Sequence, residues 1–417
     1  MRFLLFYLCL YNFVFPIRLV AIPKFEWIIL SIPLIWVLIN FKKKLKYFSY
    51  TRFKTTFIFS IIMSIIGCIS SLIYDGDYIS VIVFMKFFLM ITIANSLIIW
   101  GYYLYGNDFI NKIIKILVIS ALIISTTNVI EFFNPEFRRF LFETIAVTGN
   151  SSYDTSFRTH GFASSGGASL SLGILVLALI SYFKYSISED NVSKGFYFFC
   201  FLFVYMSNIV IGRTGLFLGA PIVMYLLFFK NLSILNIFKK IFNVAILYFL
   251  IIYLINTIDE KLLDVMFKYG LEPIYKYLAY GTFESETTSG VVNMYYVPDV
   301  LHIFTGAGFW RWPTLGYSLP DPGYMKLIMS TGIFGVIIFY SYQLVIYREA
   351  YVFFTRKYKL KEIFFFLFIV LFLSELKEAV FTQNYAFKVL SLLLVYSWFL
   401  KSKFNGKKNN RLHYRSF

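Results

Sequence analysis

Apolar runs of about 15 to 23 residues recur along almost the whole chain, separated mostly by short polar turns. No other feature restricts the fold as strongly. In lipid, a stretch of that length can satisfy its backbone N–H and C=O groups only as a helix, because the bilayer core offers them no partners. Only 15% of the 417 residues are charged and 59% are hydrophobic, too few charges for a water-soluble surface of this size. The expected fold class is therefore an all-α polytopic membrane protein. Twelve transmembrane helices are expected, at 3–21, 27–41, 57–74, 79–105, 113–130, 163–185, 197–212, 215–229, 241–256, 325–346, 363–380 and 385–400. The spans at 27–41 and 215–229 are short for a hydrocarbon core of about 30 Å. The stretch 1–21 lacks a clear small-x-small cleavage site and reads as the first span rather than a removable signal.

The formal charge of +17 sits in the turns, so membrane topology explains it better than nucleic-acid binding. One set of connections (42–56, 106–115, 186–196, 230–240, 347–362 and the basic tail 401–417) holds 23 Lys and Arg in 80 residues. The other set (22–26, 75–78, 131–162 and 257–324) holds 8 in 109, with 15 Asp and Glu. The excess of Lys and Arg on one side places both termini in the cytoplasm and the two long loops, 131–162 and 257–324, outside. The three cysteines, Cys9, Cys68 and Cys200, lie in apolar spans with no CxxC pair, which implies packing roles and neither a disulfide framework nor a metal site. No internal repeat is visible, which weighs against a transporter built from repeated halves.

The large loop 257–324 is the feature that the spans frame. Its distal part carries Asp299, His302, Gly306-Ala-Gly308, Arg311 and Asp321-Pro-Gly-Tyr324, and a new apolar helix opens through Gly332 and Gly335. A long loop with aromatics, glycines and turn signals is expected to be ordered and functional. Arg158 and His160 end the first long loop, just before the small-residue helix start Ser164-Ser-Gly-Gly-Ala-Ser169. Arg213 lies in Ile211-Gly-Arg-Thr-Gly215, between two apolar spans. An ionisable group at that depth faces a cavity or a partner. Glu375 and Glu378 stand one helical turn apart at a span end, placed either to pair with such an arginine or to mark the exit from the bilayer. Each has a plainer reading: Arg158 as an interfacial anchor, His302 as a hydrogen-bonded structural histidine, Arg213 as half of an ion pair. No nucleotide loop, metal-ligand cluster or nucleophile elbow occurs, so no cofactor or metal is expected. Guanidinium groups bind phosphate and pyrophosphate by paired hydrogen bonds. A polyprenyl-pyrophosphate sugar would set its tail in lipid and its pyrophosphate at the depth of these arginines. An acceptor hydroxyl would need a base within hydrogen-bond reach. The outer face offers His160, His302, Asp299, Asp321, Glu375 and Glu378. The charge of Arg158 is expected to keep His160 neutral.

Three places resemble the O-antigen polymerase (Wzy) family, within the wider O-antigen polymerase and ligase superfamily. They are Arg158-Thr-His-Gly-Phe162 before a small-residue helix start, Ile211-Gly-Arg-Thr-Gly215 between mid-chain spans, and Thr305-Gly-Ala-Gly-Phe309 with Asp321-Pro-Gly-Tyr324 and Gly332-Ile-Phe-Gly335. The layout matches over nearly the whole chain. The family's Arg-x(10)-Gly spacing is not kept, since Ser169 and Pro322 stand eleven residues after Arg158 and Arg311. Superfamily ligases carry a His-containing motif where this chain has Asp321-Pro-Gly-Tyr324, which favours polymerase over ligase; by that resemblance Asp321, in a turn fixed by Pro320 and Pro322, is the first candidate base and His160 the second. The resemblance implies a GT-C-like fold with one large periplasmic loop in a bacterial inner membrane. It implies a metal-independent inverting glycosyltransferase that moves a growing glycan from undecaprenyl pyrophosphate to a lipid-linked repeat unit. The implied partners are that lipid-linked oligosaccharide, the bilayer, and a chain-length regulator and flippase of the same pathway, with no nucleic acid. Arg158, Arg213, Arg311, His302, Tyr324, Glu375 and Glu378 would then bind pyrophosphate or glycan. The alternatives are an O-antigen ligase and a non-enzymatic lipid-linked oligosaccharide flippase or exporter.

Overall fold

The computed structural model describes residues 2–22, 24–40, 50–146, 159–229, 268, 271–282, 292–295, 298–310, 322–358 and 361–413. The protein is all-α: it is 84% helical, with no strand among the described residues. The helices used below are α1 (Arg2–Val14), α2 (Phe25–Ile39), α3 (Tyr50–Ile73), α4 (Ile79–Tyr105), α5 (Phe109–Phe133), α6 (Pro135–Thr144), α7 (Gly167–Ile187), α8 (Asn191–Met206), α9 (Arg213–Met224), α10 (Glu272–Tyr280), α11 (Val300–Thr305), α12 (Gly323–Tyr358), α13 (Lys361–Ser374) and α14 (Tyr385–His413).

Five helical stretches are long and apolar enough to cross a membrane: Arg52–Ile73, Ile79–Phe133, Gly167–Ile187, Asn191–Ile211 and Gly323–Tyr358. The second comprises α4 and α5, separated by a turn at Gly106. At 1.5 Å per residue, the 22 residues of the first rise about 33 Å, enough for a hydrocarbon core. The short spans expected at 27–41 and 215–229 appear as the shorter apolar helices Phe25–Ile39 and Arg213–Phe228. The helix expected at 325–346 runs on to Tyr358, and the one expected at 363–380 stops at Ser374 in a turn. The span expected at 241–256 lies outside the described residues.

Helix α7 and the first half of α14 form the centre. From Leu170 to Phe183 nearly every side chain of α7 is buried, as are those of α14 from Tyr385 to Leu400. A helix apolar on all sides belongs there, and small residues let its neighbours approach. Gly215 on α9 lies against α7 so closely that a Cβ would stand 2.3 Å from the Ser171 carbonyl oxygen. Helix α3 is one-sided: Phe59 and Met63 are buried, whereas Ile58, Ile62, Ile65, Ile69 and Leu72 are exposed. That exposed apolar face is suited to lipid.

The helix junctions sort to two ends. At one end Arg52 on α3 pairs with Glu349 on α12, and Lys357 donates to the Tyr396 hydroxyl at 2.6 Å. At the other end the tips of α1, α3, α6, α11 and α13 meet the starts of α4, α7, α12 and α14. This second end, the loop end, carries the polar site.

Candidate functional site

The scaffold of the loop end begins with the turn after α1. Asn12 is buried and ties the turn from within: its Oδ1 accepts from Ile17 N at 2.8 Å and its Nδ2 donates to the Glu26 carbonyl at 3.0 Å. The turn is then clamped from two sides. Val20 N donates to Thr144 O at 3.0 Å and Ala146 N to Arg18 O at 2.7 Å, while Ser164 N donates to Pro16 O at 3.0 Å. Arg18 is thereby fixed with its Nε 2.7 Å from Glu26 Oε1.

Arg18 lies on the wall of a cavity of about 400 Å³. Its other charged lining groups are Lys86 from α4, Lys326 from α12, Lys388 from α14, Glu26 and Glu378. Ser164, Ser165, Ser169 and Asn384 add hydrogen-bonding groups, and Trp27 and Trp310 add aromatic surface. Lys388 is the unusual member. It is 6% exposed, and no carboxylate pairs with it among the described residues. Its Nζ lies 5.4 Å from the Tyr385 ring centroid. Tyr385 is itself fixed, since its hydroxyl lies 2.8 Å from Ser165 Oγ and accepts from Ser165 N at 3.1 Å. A cation–π contact offsets only part of the cost of burying an ammonium group. The cavity thus gathers four basic groups, one of them buried, against two carboxylates.

One wall is delivered by residues 305–310. The Thr305 carbonyl accepts from Ser70 Oγ, and the Gly308 carbonyl accepts from Ser71 Oγ at 2.9 Å and Asp77 N at 3.1 Å. Ala307 N donates to Met329 O at 2.7 Å, and Trp310 N to both Asp77 carboxylate oxygens at 3.2 and 3.1 Å. This clip sits in a break in α12 at Gly332, whose φ is 67°. A Cβ on Gly332 would lie 2.2 Å from Phe304 O. Gly306 and Gly308 also have positive φ, at 73° and 74°. The Gly-Ala-Gly sequence is therefore a backbone-to-backbone plug that sets Trp310 on the cavity wall, with its ring edge-on to Phe84.

The turn between α13 and α14 separates two neighbouring carboxylates. Glu375 is buried; it accepts from Phe381 N at 2.8 Å and the Tyr340 hydroxyl at 2.9 Å. Glu378 faces the cavity and accepts from Asn384 Nδ2 at 3.2 Å. The Asn384 Oδ1 caps α14 by accepting from Ala386 N at 2.9 Å, and its carbonyl accepts from Lys388 N at 3.2 Å. One asparagine thus holds both Glu378 and the start of the helix that carries Lys388.

Comparison with family models, with curated proteins and with solved structures finds no match. The site rests on its own geometry.

Of the residues singled out in the sequence, Glu378 lines the cavity. Arg213 pairs with Glu272 of α10, which Lys276 also approaches at 3.0 Å. His160 is 1% exposed. Its backbone N and that of Gly161 donate to Glu131 Oε2 at 2.9 and 2.7 Å, and its Nδ1 donates to Gly161 O at 2.8 Å. Burial first, with the nearby charge of Arg138, pushes the imidazole down to about 4, so His160 is neutral at pH 7. Neutrality was expected from Arg158, but burial is the main cause. His302 lies edge-on to Tyr74, 3.8 Å from Asp299. The Tyr324 hydroxyl donates to Phe372 O at 3.0 Å. Arg158, Arg311 and Asp321 lie outside the described residues. The residues that sequence reading missed are Arg18, Lys86, Lys326 and Lys388. Lys86 and Lys388 carried a signal, since a single lysine inside an apolar span is costly and marks a cavity or a path.

Proposed function

We propose that this chain is a polysaccharide polymerase of the O-antigen (Wzy) type. In this reading it is a metal-independent inverting glycosyltransferase of a bacterial inner membrane, with twelve spans, both termini cytoplasmic and the loop end periplasmic. Its substrates are a growing glycan on undecaprenyl pyrophosphate and a lipid-linked repeat unit. The observation that carries the reading is the cavity with the buried lysine. Four basic and two acidic lining groups leave a formal excess of two positive charges, which matches the two negative charges of a diphosphate diester. The serine hydroxyls provide partners for sugar hydroxyls, and Trp27 and Trp310 provide faces for sugar rings.

In the transfer, the acceptor hydroxyl oxygen attacks the anomeric carbon and the bond from that carbon to the diphosphate breaks. Pre-oriented cations stabilise the charge that grows on the leaving diphosphate. Arg18, Lys86, Lys326 and Lys388 share the role that the sequence alone assigned to Arg158 and Arg311. Arg213, held by Glu272, supports the shape of the loop end.

A second reading has support of its own: charge drawn into a cavity from several helices also suits a lipid-linked oligosaccharide flippase. Deletion of the gene tells the readings apart. Loss of a polymerase leaves surface glycan bearing a single repeat unit. Loss of a ligase leaves none and accumulates lipid-linked polymer, and loss of a flippase leaves none and traps single lipid-linked units inside the cell.

A further inference from the structure

We infer that Glu378 is the base that takes the proton from the acceptor hydroxyl, an assignment that rests on the glycosyltransferase reading of the cavity. A base must lie in the same chamber as the leaving-group site, on the opposite side of one sugar ring. The described acid–base groups of the loop end differ in their fitness for this. Glu131 and His160 are buried against each other, with their ionisable atoms 3.7 Å apart. Glu375 is 1% exposed and gives one oxygen to Phe381 N and the other to Tyr340. Both Asp77 oxygens hold Trp310 N. Glu272 is engaged by Arg213 and Lys276. Of the two carboxylates on the cavity wall, Glu26 is 5% exposed and bound to Arg18. Glu378 is on the wall, half-buried, and reachable from the cavity.

The position of Glu378 is set by the element that sets the anion site. Asn384 donates to Glu378 and caps α14, and Lys388 follows one turn later. Base and buried cation are thereby both tied to Asn384 on the wall of a chamber of about 400 Å³, which has room for a sugar ring. In the step itself, the hydroxyl oxygen bonds to the anomeric carbon as its proton passes to the Glu378 carboxylate. The diphosphate leaves with the electron pair of the broken C–O bond. Asn384 acts through Glu378 and is a positioning residue.

The test uses the purified full-length protein in nanodiscs, with lipid-linked repeat units extracted from cells that lack it. Glu378→Gln and Glu378→Ala should lower polymer turnover by about a hundredfold to ten-thousandfold. Azide needs no deprotonation, so it should capture the glycan as glycosyl azide, with release of the lipid diphosphate, at the parent's rate in both variants. Asn384→Ala should lower turnover and likewise leave azide capture intact. Polymerisation by Glu378→Gln at the parent's rate overturns the assignment. So does loss of azide capture together with polymerisation in a variant that melts like the parent, because Glu378 would then serve structure or binding. The glycosyltransferase reading fails by a separate sign: a parent protein that forms neither polymer nor glycosyl azide.

Discussion

Replacing Lys388 with methionine should make the protein more stable and less active at once. Methionine keeps the length and most of the volume of the side chain, so packing around Tyr385 and α14 is retained. What disappears is an ammonium group 6% exposed, with no carboxylate partner among the described residues. The effective penalty for burying one ion is several kcal/mol, and a cation–π contact returns about 0.5–2 of that. A net gain of about 1–3 kcal/mol is expected, visible as a higher midpoint of thermal unfolding in detergent. In the proposed transfer the same ammonium faces the departing diphosphate. Loss of one pre-oriented group at a developing charge costs about 2.7–4 kcal/mol, or about a hundredfold to a thousandfold in turnover. Unfolding monitored by tryptophan fluorescence and polymer formation from lipid-linked repeat units measure the two effects separately. A methionine variant less stable than the parent would show that the charge is satisfied within the protein. A stable variant with full activity would show that no anion is handled at Lys388. Either result refutes the reasoning.

Other outcomes follow from single contacts. Arg213→Met and Glu272→Met should each destabilise by about 1–3 kcal/mol, and the double variant should show a coupling energy above about 1 kcal/mol in a thermal-melt cycle. Gly332→Ala forces a Cβ onto Phe304 O in a left-handed conformation and should cost about 2 kcal/mol or more, with increased proteolysis near the clip as a second reading. The folded His160 imidazole, held down to about 4, binds fewer protons than its unfolded form near 6.5. Its contribution to stability is therefore complete above pH 6.5 and lost as pH falls toward 4, at most about 3 kcal/mol. His160→Gln should flatten the fall in melting temperature between pH 7 and 4.5.

The helices were legible because lipid imposes one solution on long apolar runs, and α4, α7 and α12 begin within a few residues of where hydropathy places them. Their ends were less legible. Nothing in the apolar pattern distinguishes Ser374 from Val380 as the end of α13; the Glu375 carboxylate, folded back onto Phe381 N, decides it. The Gly-Ala-Gly segment was visibly ordered, yet its purpose depends on Gly332, some 25 residues later, opening a gap to receive it. The cavity was hardest to see. Its cations come from positions 18, 86, 326 and 388, and only the packing of α4, α12 and α14 with the turn after α1 brings them together. Counting charge in the connections drew attention to arginines there and away from single lysines within spans. Glu375 and Glu378, equivalent in sequence, diverge because the turn sends one into the core and the other to the cavity.

The central claim is tested most directly by the products formed when purified protein in nanodiscs is given lipid-linked repeat units alone. A polymerase yields a ladder of lipid-linked glycans spaced by one repeat, with one undecaprenyl pyrophosphate released for each linkage formed. Repeat units recovered unchanged, with no lipid diphosphate released, would contradict the account.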